Sequence, residues 1–496
     1  MTDEKSAYRQ VMKATSVFGG VQVFNILISI VRTKVIAVLL GSFGMGIAGL
    51  LNSAIQLISA VTNLGMDRSA VKDISSAFEE ADEEKIARTI GIVKKIVWIT
   101  GIVGALITII LSPLLSELAF DSKDFTFSFI WVSVALLFKQ LASGNLVVLQ
   151  GLRKIEYLAK ANLTGSFVGL LISVPLYYYF RIDAIVPAII ISFFMSFVFS
   201  RYYTNKIKTK KISITAKEAF FEGKEMVRLG IMLSISSLLT VLATYALHIY
   251  ISNVGGVSEV GFYAAGVVIL NSYVGIIFNA MATDYYPRLA AIHRDNVKVR
   301  EVVSQQAFVA VLIITPIIIL FLMFSSLVIK ILYSTEFLVI VSMVTWGILG
   351  TLFKAMSFSM GYIIIAKGDS KVFIKTAVGF NTLLFLMNIL GYSYGGLTGL
   401  GISFFVYYII HFIVVGILTK SLYNFYFTKS FYLLFVFCSV FCALAFLTTY
   451  FLSETNWRYL ILAIIFVISV VVSVYQLHKK MNLRELFDKL KYRNKK

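Results

Sequence analysis

Charge is scarce in this chain: of its 496 residues, 14% are Asp, Glu, Lys or Arg, against about a quarter in soluble globular domains. An ordinary multidomain soluble enzyme is therefore excluded. Proline is scarce as well, with 5 residues, and the 32 glycines are scattered without period, so neither a collagen-like nor a disordered class fits. Alternating ten-residue segments are missing, which argues against an outer-membrane barrel. Of cysteines there are two, Cys438 and Cys442. They lie one helical turn apart inside an apolar run and read as small core or lipid-facing residues, not as a disulfide or a metal pair. No Walker A sequence, zinc-binding cluster or Ser/His/Asp set on loops is present. Gly44-Met-Gly46-Ile-Ala-Gly49 matches the dinucleotide fingerprint by letter, but that motif needs a strand before it and a soluble βαβ unit around it.

What is abundant is apolar surface: 58% of the residues, with a mean hydropathy of +0.85. The chain reads as an all-α polytopic membrane protein. A membrane helix needs about 20 mostly apolar residues, and runs of that kind predict fourteen spans. The first six are 15–40, 43–64, 91–115, 126–150, 161–180 and 184–203, closed by a basic stretch from 204 to 226. Six more follow at 227–251, 260–283, 304–324, 337–366, 373–392 and 398–418, and a last pair at 431–452 and 457–477 precedes a basic tail. This predicts an N-terminal lobe over 1–215, a C-terminal lobe over 216–430, and two extra helices with a tail over 431–496. The first run is too long for the apolar region of a signal peptide and lacks a cleavage site, so the first helix is expected to be retained.

Lys and Arg set the orientation. With a cytoplasmic N-terminus, 37 of the 45 basic residues fall at the inner face and four outside: Lys123, Arg181, Lys330 and Arg458. The net charge of +19 is then mainly a topological signal and an attraction for anionic inner-leaflet lipid, not a nucleic-acid footprint. Both termini are expected in the cytoplasm. The outer loops are short. The inner loop from Asp67 to Arg88, with Glu79, Glu80, Asp82, Glu83 and Glu84, has the alternating charge of a solvated amphipathic helix.

A weak repeat accompanies the pattern. Gly41 and Gly46, followed by Ile47-Ala48, stand between spans one and two; Gly256 and Gly261, followed by Phe262-Tyr263-Ala264, stand between spans seven and eight. Six spans separate them, as in a parallel duplication of six-helix bundles with a site at the interface of the halves. Gly165-Ser-Phe-Val-Gly169 fits close helix packing.

Ionisable groups inside a span are costly and usually functional. Four basic ones are evident, Arg32, Lys34, Lys139 and Lys354, with no carboxylate near the middle of any span. Their counter-charge is therefore expected to come with a ligand. Gln22, Asn25, Ser29 and Arg32 share one face of helix one, and Asn52, Gln56, Ser59 and Asn63 one face of helix two. Ser234, Ser237, Thr240, Thr244 and His248 make a stripe on helix seven, and Asn271 and Asn279 add to helix eight. Polar side chains disfavour lipid, so these faces are expected to line a wet cavity or to serve as interhelical glue. Lys34, near a helix end, is equally able to snorkel. Lys139 and Lys354 face either the cavity or backbone carbonyls, and His248 is either a proton relay or a satisfied interfacial histidine.

Several stretches carry a family resemblance. Val31-Arg-Thr-Lys-Val-Ile-Ala-Val-Leu-Leu-Gly41 through Gly46-Ile-Ala and Asn63-Leu-Gly-Met-Asp-Arg-Ser-Ala-Val-Lys-Asp73 resemble the opening of the polysaccharide (Wzx-type) flippases of the MOP exporter superfamily. Leu149-Gln-Gly-Leu-Arg153, Val260-Gly-Phe-Tyr-Ala264 and Tyr286-Pro-Arg-Leu289 resemble later stretches, so the likeness spans roughly the first 300 residues. The resemblance implies two six-helix lobes around an alternately opened cavity. It implies transport of a polyprenyl-pyrophosphate-linked oligosaccharide, such as an O-antigen or other surface polysaccharide unit, from the inner to the outer leaflet of the bacterial cytoplasmic membrane. Arg32, nine residues before Gly41, falls where the family's helix-one arginine is thought to hold the pyrophosphate. Lys354, Lys139 and Lys34 match only the cationic character of that cavity. A polysaccharide polymerase and chain-length machinery are the protein partners implied, no bound cofactor is expected, and a proton gradient, a sodium gradient or the membrane potential is open as the driving force.

Arg suits such a substrate because it binds phosphate oxygens in a bidentate fork. The alternatives are a peptidoglycan-precursor flippase, which the extra helix pair keeps in contention, and a multidrug/cation antiporter, which ordinarily needs the membrane carboxylate missing here. An integral-membrane enzyme lacks its large outer loop or paired carboxylates, and a scaffold leaves four intramembrane cations unexplained.

Overall fold

The computed structural model describes residues 2–210, 212–273, 275–452 and 455–481, with the side chains of 2–20, 22, 273, 276, 277, 279–284 and 481 left aside. In chain order its helices are α1 (Thr2–Thr62), α2 (Met66–Glu79), α3 (Glu83–Phe120), α4 (Thr126–Gly151), α5 (Ile155–Phe180), α6 (Ile185–Asn205), α7 (Ala216–Glu222) and α8 (Lys224–Gly255). There follow α9 (Val257–Val267), α10 (Gly275–Ala291), α11 (Asn296–Met323), α12 (Ser325–Leu332), α13 (Val341–Ala366), α14 (Ser370–Tyr423), α15 (Lys429–Phe451) and α16 (Asn456–Met481). The expected all-α polytopic architecture is borne out.

Ten described segments are long and apolar enough to cross a membrane. Three of them, Val23–Thr62, Ile155–Asn205 and Ser370–Tyr423, run to 40, 51 and 54 residues, at least twice the roughly 20 that one crossing needs. Each is divided. Gly41 (φ 67, ψ −166) breaks α1 and Gly396 (φ 54, ψ −137) breaks α14, backbone conformations that glycine adopts without a Cβ penalty, and the short 3-10 turn Arg181–Ala184 separates α5 from α6. With those three segments counted as two each, the described residues supply thirteen such crossings, and Val257–Ser272 is a shorter apolar helix beside them.

The chain forms two compact units: Met1–Ala264 with Leu332–Glu336, and Ala265–Ile331 with Phe337–Lys496. In the first, α4 packs on α3 and α6, α5 on α6 and α1, and α8 on α1 and α2. The Gly165/Gly169 pair does what its spacing suggests: an added Cβ would stand 3.0 Å from Ser196 Cα and 3.2 Å from Ser192 Cα, so α5 and α6 approach backbone to backbone. At one end of this unit Ile74, Val93, Ile96 and Met226 form a buried apolar cluster. The acidic loop around it is structural, as its charge pattern indicates. Asp82 accepts from the N–H groups of Glu84 and Lys85 and caps α3, Arg153 pairs with Glu79, and Arg88 pairs with Glu222 at 2.5 Å. The hydrogen bond from Arg88 holds the Glu222 carboxyl below its usual range.

In the second unit α13 is the hub, packing on α14, α11, α10 and α15, with α16 against α11 and α15. Cys438 and Cys442 are free and 3% and 2% exposed, small residues of that core. Between α9 and α10 the helix widens into a π turn, Val268–Tyr273.

Candidate functional site

In the first unit the site begins on α1. Asn25 and Arg32 are seven residues apart, two turns along one helix face. Asn25 Oδ1 and Arg32 Nε are both buried without a hydrogen-bond partner. A buried polar atom without a partner costs about 1–3 kcal/mol, more when charged, so two on one face mark a place where oxygen and nitrogen groups of a bound molecule would be stabilising. Tyr177 of α5, itself 4% exposed, is the electrostatic neighbour of Arg32. It brings a phenol and no counter-charge. Arg32 thus keeps a guanidinium fork suited to an oxyanion.

The other cations of the sequence pattern part company here. Lys34 donates to the backbone carbonyl of Tyr333, and its stem lines an open groove of about 550 Å³ with Val174, Pro175, Tyr178 and Tyr179. It is therefore not the partnerless cation that the sequence suggested. Lys139 on α4 lies 6.0 Å from the centroid of the Phe193 ring and makes no hydrogen bond among the described residues. The carbonyl-bonded alternative does not hold for it. Lys354 donates at 2.9 Å to Asn271 Oδ1, in the second unit, and so also has an internal partner, though a neutral one.

The polar stripes divide in the same way. His248 is buried, with Nδ1 3.1 Å from Ser53 Oγ and its ring edge-on to Tyr263. Its Nδ1 is thus satisfied within the first unit. Asn52 donates to Ala48 O and Thr244 to Thr240 O, each within its own helix, while Gln56 is exposed. Asn63 turns out to be glue: its Oδ1 accepts at 3.0 Å from Gln140 Nε2, which also reaches Thr100 Oγ1 at 3.2 Å. This network ties the turn after α1 to α3 and α4 through Gln140, a residue the stripes did not include. The side chains of Gln22 and Asn279 lie outside the described residues.

In the second unit Lys354 is set in a ring of aromatics. Its Nζ stands 5.3 Å from the Tyr408 centroid, 5.5 Å from Phe278 and 5.8 Å from Phe404, within the range of cation–π attraction. Asn271, its amide partner, sits on the π turn. His411 lies next to Tyr408 at 6.0 Å between ring centroids and 4.1 Å from Phe380, and its Nδ1 is buried without a partner. The sequence held a signal for His411, an imidazole inside the predicted 398–418 span. It held none for the aromatic ring, since aromatics make up 14% of the chain.

Ten described helical segments long and apolar enough to cross a membrane, some carrying buried cations, define a multi-pass membrane protein. The particular family follows from comparison. The chain belongs to the polysaccharide biosynthesis protein family, whose match covers residues 35–342. It is 24% identical over 348 residues to a Shigella flexneri protein named "Putative O-antigen transporter", spanning 67% of this chain and 79% of that one. It is 22% identical over 357 residues to the lipid III flippase of Escherichia coli (strain K12), spanning 71% of this chain and 84% of the relative. Among solved structures, the inward closed conformation of the lipid II flippase MurJ superposes with a TM-score of 0.70 at 12% identity, over 95% of this chain and 99% of that one. An inward-facing multidrug resistance MATE family transporter of the MOP superfamily gives 0.67 at 14% identity, over 81% and 94%. The family match bears out the resemblance to a polysaccharide family, and the solved structures share the fold.

Proposed function

We propose that this protein is a flippase that carries a polyprenyl-pyrophosphate-linked oligosaccharide, an O-antigen or similar surface-polysaccharide unit, from the inner to the outer leaflet of the bacterial cytoplasmic membrane. The observation that carries the reading is Arg32: a guanidinium in a membrane span, its Nε buried and unpartnered. A pyrophosphate cannot cross about 30 Å of hydrocarbon unaided, and a bidentate guanidinium replaces part of its hydration. Family membership and the names of the relatives support the same class of substrate.

In this reading Arg32 holds the pyrophosphate, Lys139 adds positive charge in the same unit, and the lipid tail stays in the bilayer. Lys34 is structural, fixed on the Tyr333 carbonyl. Alternating access, with both termini in the cytoplasm, then exposes the head group on the outer side. The chain's own residues bind and release; no bond is made or broken.

The test is mass spectrometry of polyprenyl-linked saccharides in cells depleted of the protein and complemented with wild type or Arg32→Ala. A complete lipid-pyrophosphate oligosaccharide should accumulate on depletion and with Arg32→Ala at normal membrane level, and disappear with wild type. Full transport by Arg32→Ala would overturn the role of Arg32. Retention of cationic dyes without any saccharide build-up would point to a drug antiporter instead.

A further inference from the structure

The second unit holds a polar site that the pyrophosphate reading does not use. Lys354 Nζ and Asn271 Oδ1 are joined at 2.9 Å, with Asn271 exposed and Lys354 half-buried, and Asn271 stands on the π turn Val268–Tyr273. Single π turns inside α-helices are frequent at functional sites, because the extra residue re-aims a side chain. Here the turn presents an amide to the ammonium. The faces of Tyr408, Phe278 and Phe404 look onto the same ammonium at 5.3, 5.5 and 5.8 Å. Beyond Tyr408, the buried Nδ1 of His411 has no partner.

The inventory is one cation, one primary amide and apolar ring walls. A pyrophosphate spreads more than one negative charge over many oxygens and calls for several donors or a guanidinium fork; this site offers a single ammonium. One positive charge matches one carboxylate. The amide N–H groups suit hydroxyl or acylamino oxygens, and aromatic walls suit the C–H faces of a pyranose ring.

We propose that Lys354, with Asn271 and the Tyr408 wall, is a saccharide subsite that reads an acidic sugar of the transported oligosaccharide, leaving the pyrophosphate to Arg32. The subsite rests on the flippase reading and deepens it: the glycan carried is anionic in its sugar portion.

Two measurements decide it. In depleted cells, the accumulated oligosaccharide, freed of lipid and pyrophosphate by mild acid, should carry a carboxylate-bearing sugar by mass and by charge; a neutral glycan overturns the subsite while leaving the flippase reading intact. If nothing accumulates the flippase reading fails, and the second measurement still judges the site. It uses the purified full-length protein in detergent, titrated with a glucuronate-containing tetrasaccharide, a neutral tetrasaccharide of equal length and inorganic pyrophosphate. Wild type should bind the acidic tetrasaccharide at least tenfold more tightly than the neutral one. Lys354→Gln should abolish that preference with pyrophosphate binding unchanged, and Arg32→Ala should do the reverse. Tyr408→Leu, which keeps the charge, should weaken both tetrasaccharides together. No acidic preference in wild type, or a Lys354→Gln variant that loses pyrophosphate and keeps the acidic tetrasaccharide, overturns the proposal.

Discussion

Gly46 and Gly261 abut across two helix turns that share no stretch of sequence: a Cβ on Gly261 would lie 2.9 Å from Gly46 N and 2.0 Å from Ser42 O, and one on Gly46 would lie 1.9 Å from Val257 O. The two turns of the weak repeat are thus packed on each other, backbone to backbone, within the first unit. Each glycine is there because the backbone of the opposite turn, Val257 for Gly46 and Ser42 with Gly46 for Gly261, leaves no room for a side chain.

Replacing either glycine by alanine should therefore force the turns apart. Overpacking of this kind costs about 1–3 kcal/mol, so Gly46→Ala and Gly261→Ala should each lower the unfolding temperature of the detergent-solubilised protein. Gly49→Ala is the control: its Cβ would meet Val260 and Ala264 at 3.8 and 3.9 Å, ordinary contact, and should leave the melting curve unchanged. Equal melting of all three would refute the close approach.

Arg32→Lys separates charge from shape. A lysine keeps the positive charge and loses the fork, so transport should fall well below wild type and stay measurably above Arg32→Ala, with the same amount of protein in the membrane. Wild-type rates with lysine would mean that a point charge suffices.

Gln140 offers a test of polar glue. Gln140→Leu removes both donors to Asn63 and Thr100 and should destabilise the first unit by roughly 0.6 kcal/mol per bond, the average for interhelical hydrogen bonds in membranes. Combining it with Asn63→Ala should add less than the sum of the single effects, because the two changes remove one shared bond. Strict additivity would count against the network.

Glu336 caps the break in α1: its Oε1 accepts from Ser42 N at 3.0 Å and from Ser42 Oγ at 2.5 Å. Glu336→Ala leaves the buried Ser42 N–H without that acceptor, whereas Glu336→Gln keeps a carbonyl oxygen. Hydrogen exchange at 41–44 and 332–336 should quicken strongly in the first variant and only modestly in the second. Unchanged exchange in both would remove the capping role.

The spans were legible in the sequence because lipid imposes one rule everywhere: backbone groups satisfied inside a helix, apolar residues along its length. The breaks at Gly41 and Gly396, the Gly165/Gly169 contact and the solvated acidic loop follow from equally local chemistry. The site was legible only in part. Arg32 and Asn25 showed up because periodicity lines them on one face. Gln140 did not, since a lone glutamine in an apolar run has no period to reveal it. The fates of Lys34 and Lys354 were decided by Tyr333 and Asn271, partners 299 and 83 residues away, a distance no sequence window spans. Glu336 escaped notice because it stands just before a predicted span, where a carboxylate is unremarkable until its partner is seen.

The five residues Leu332–Glu336 carry one last consequence. They belong to the first unit, yet the chain on either side of them belongs to the second, so the polypeptide passes from one unit to the other three times. A cut after Ala264 would leave the first unit without Tyr333 and Glu336, the partners of Lys34 and Ser42. Gene fragments split at that boundary would each be incomplete, and no single cut in the chain separates one unit from the other.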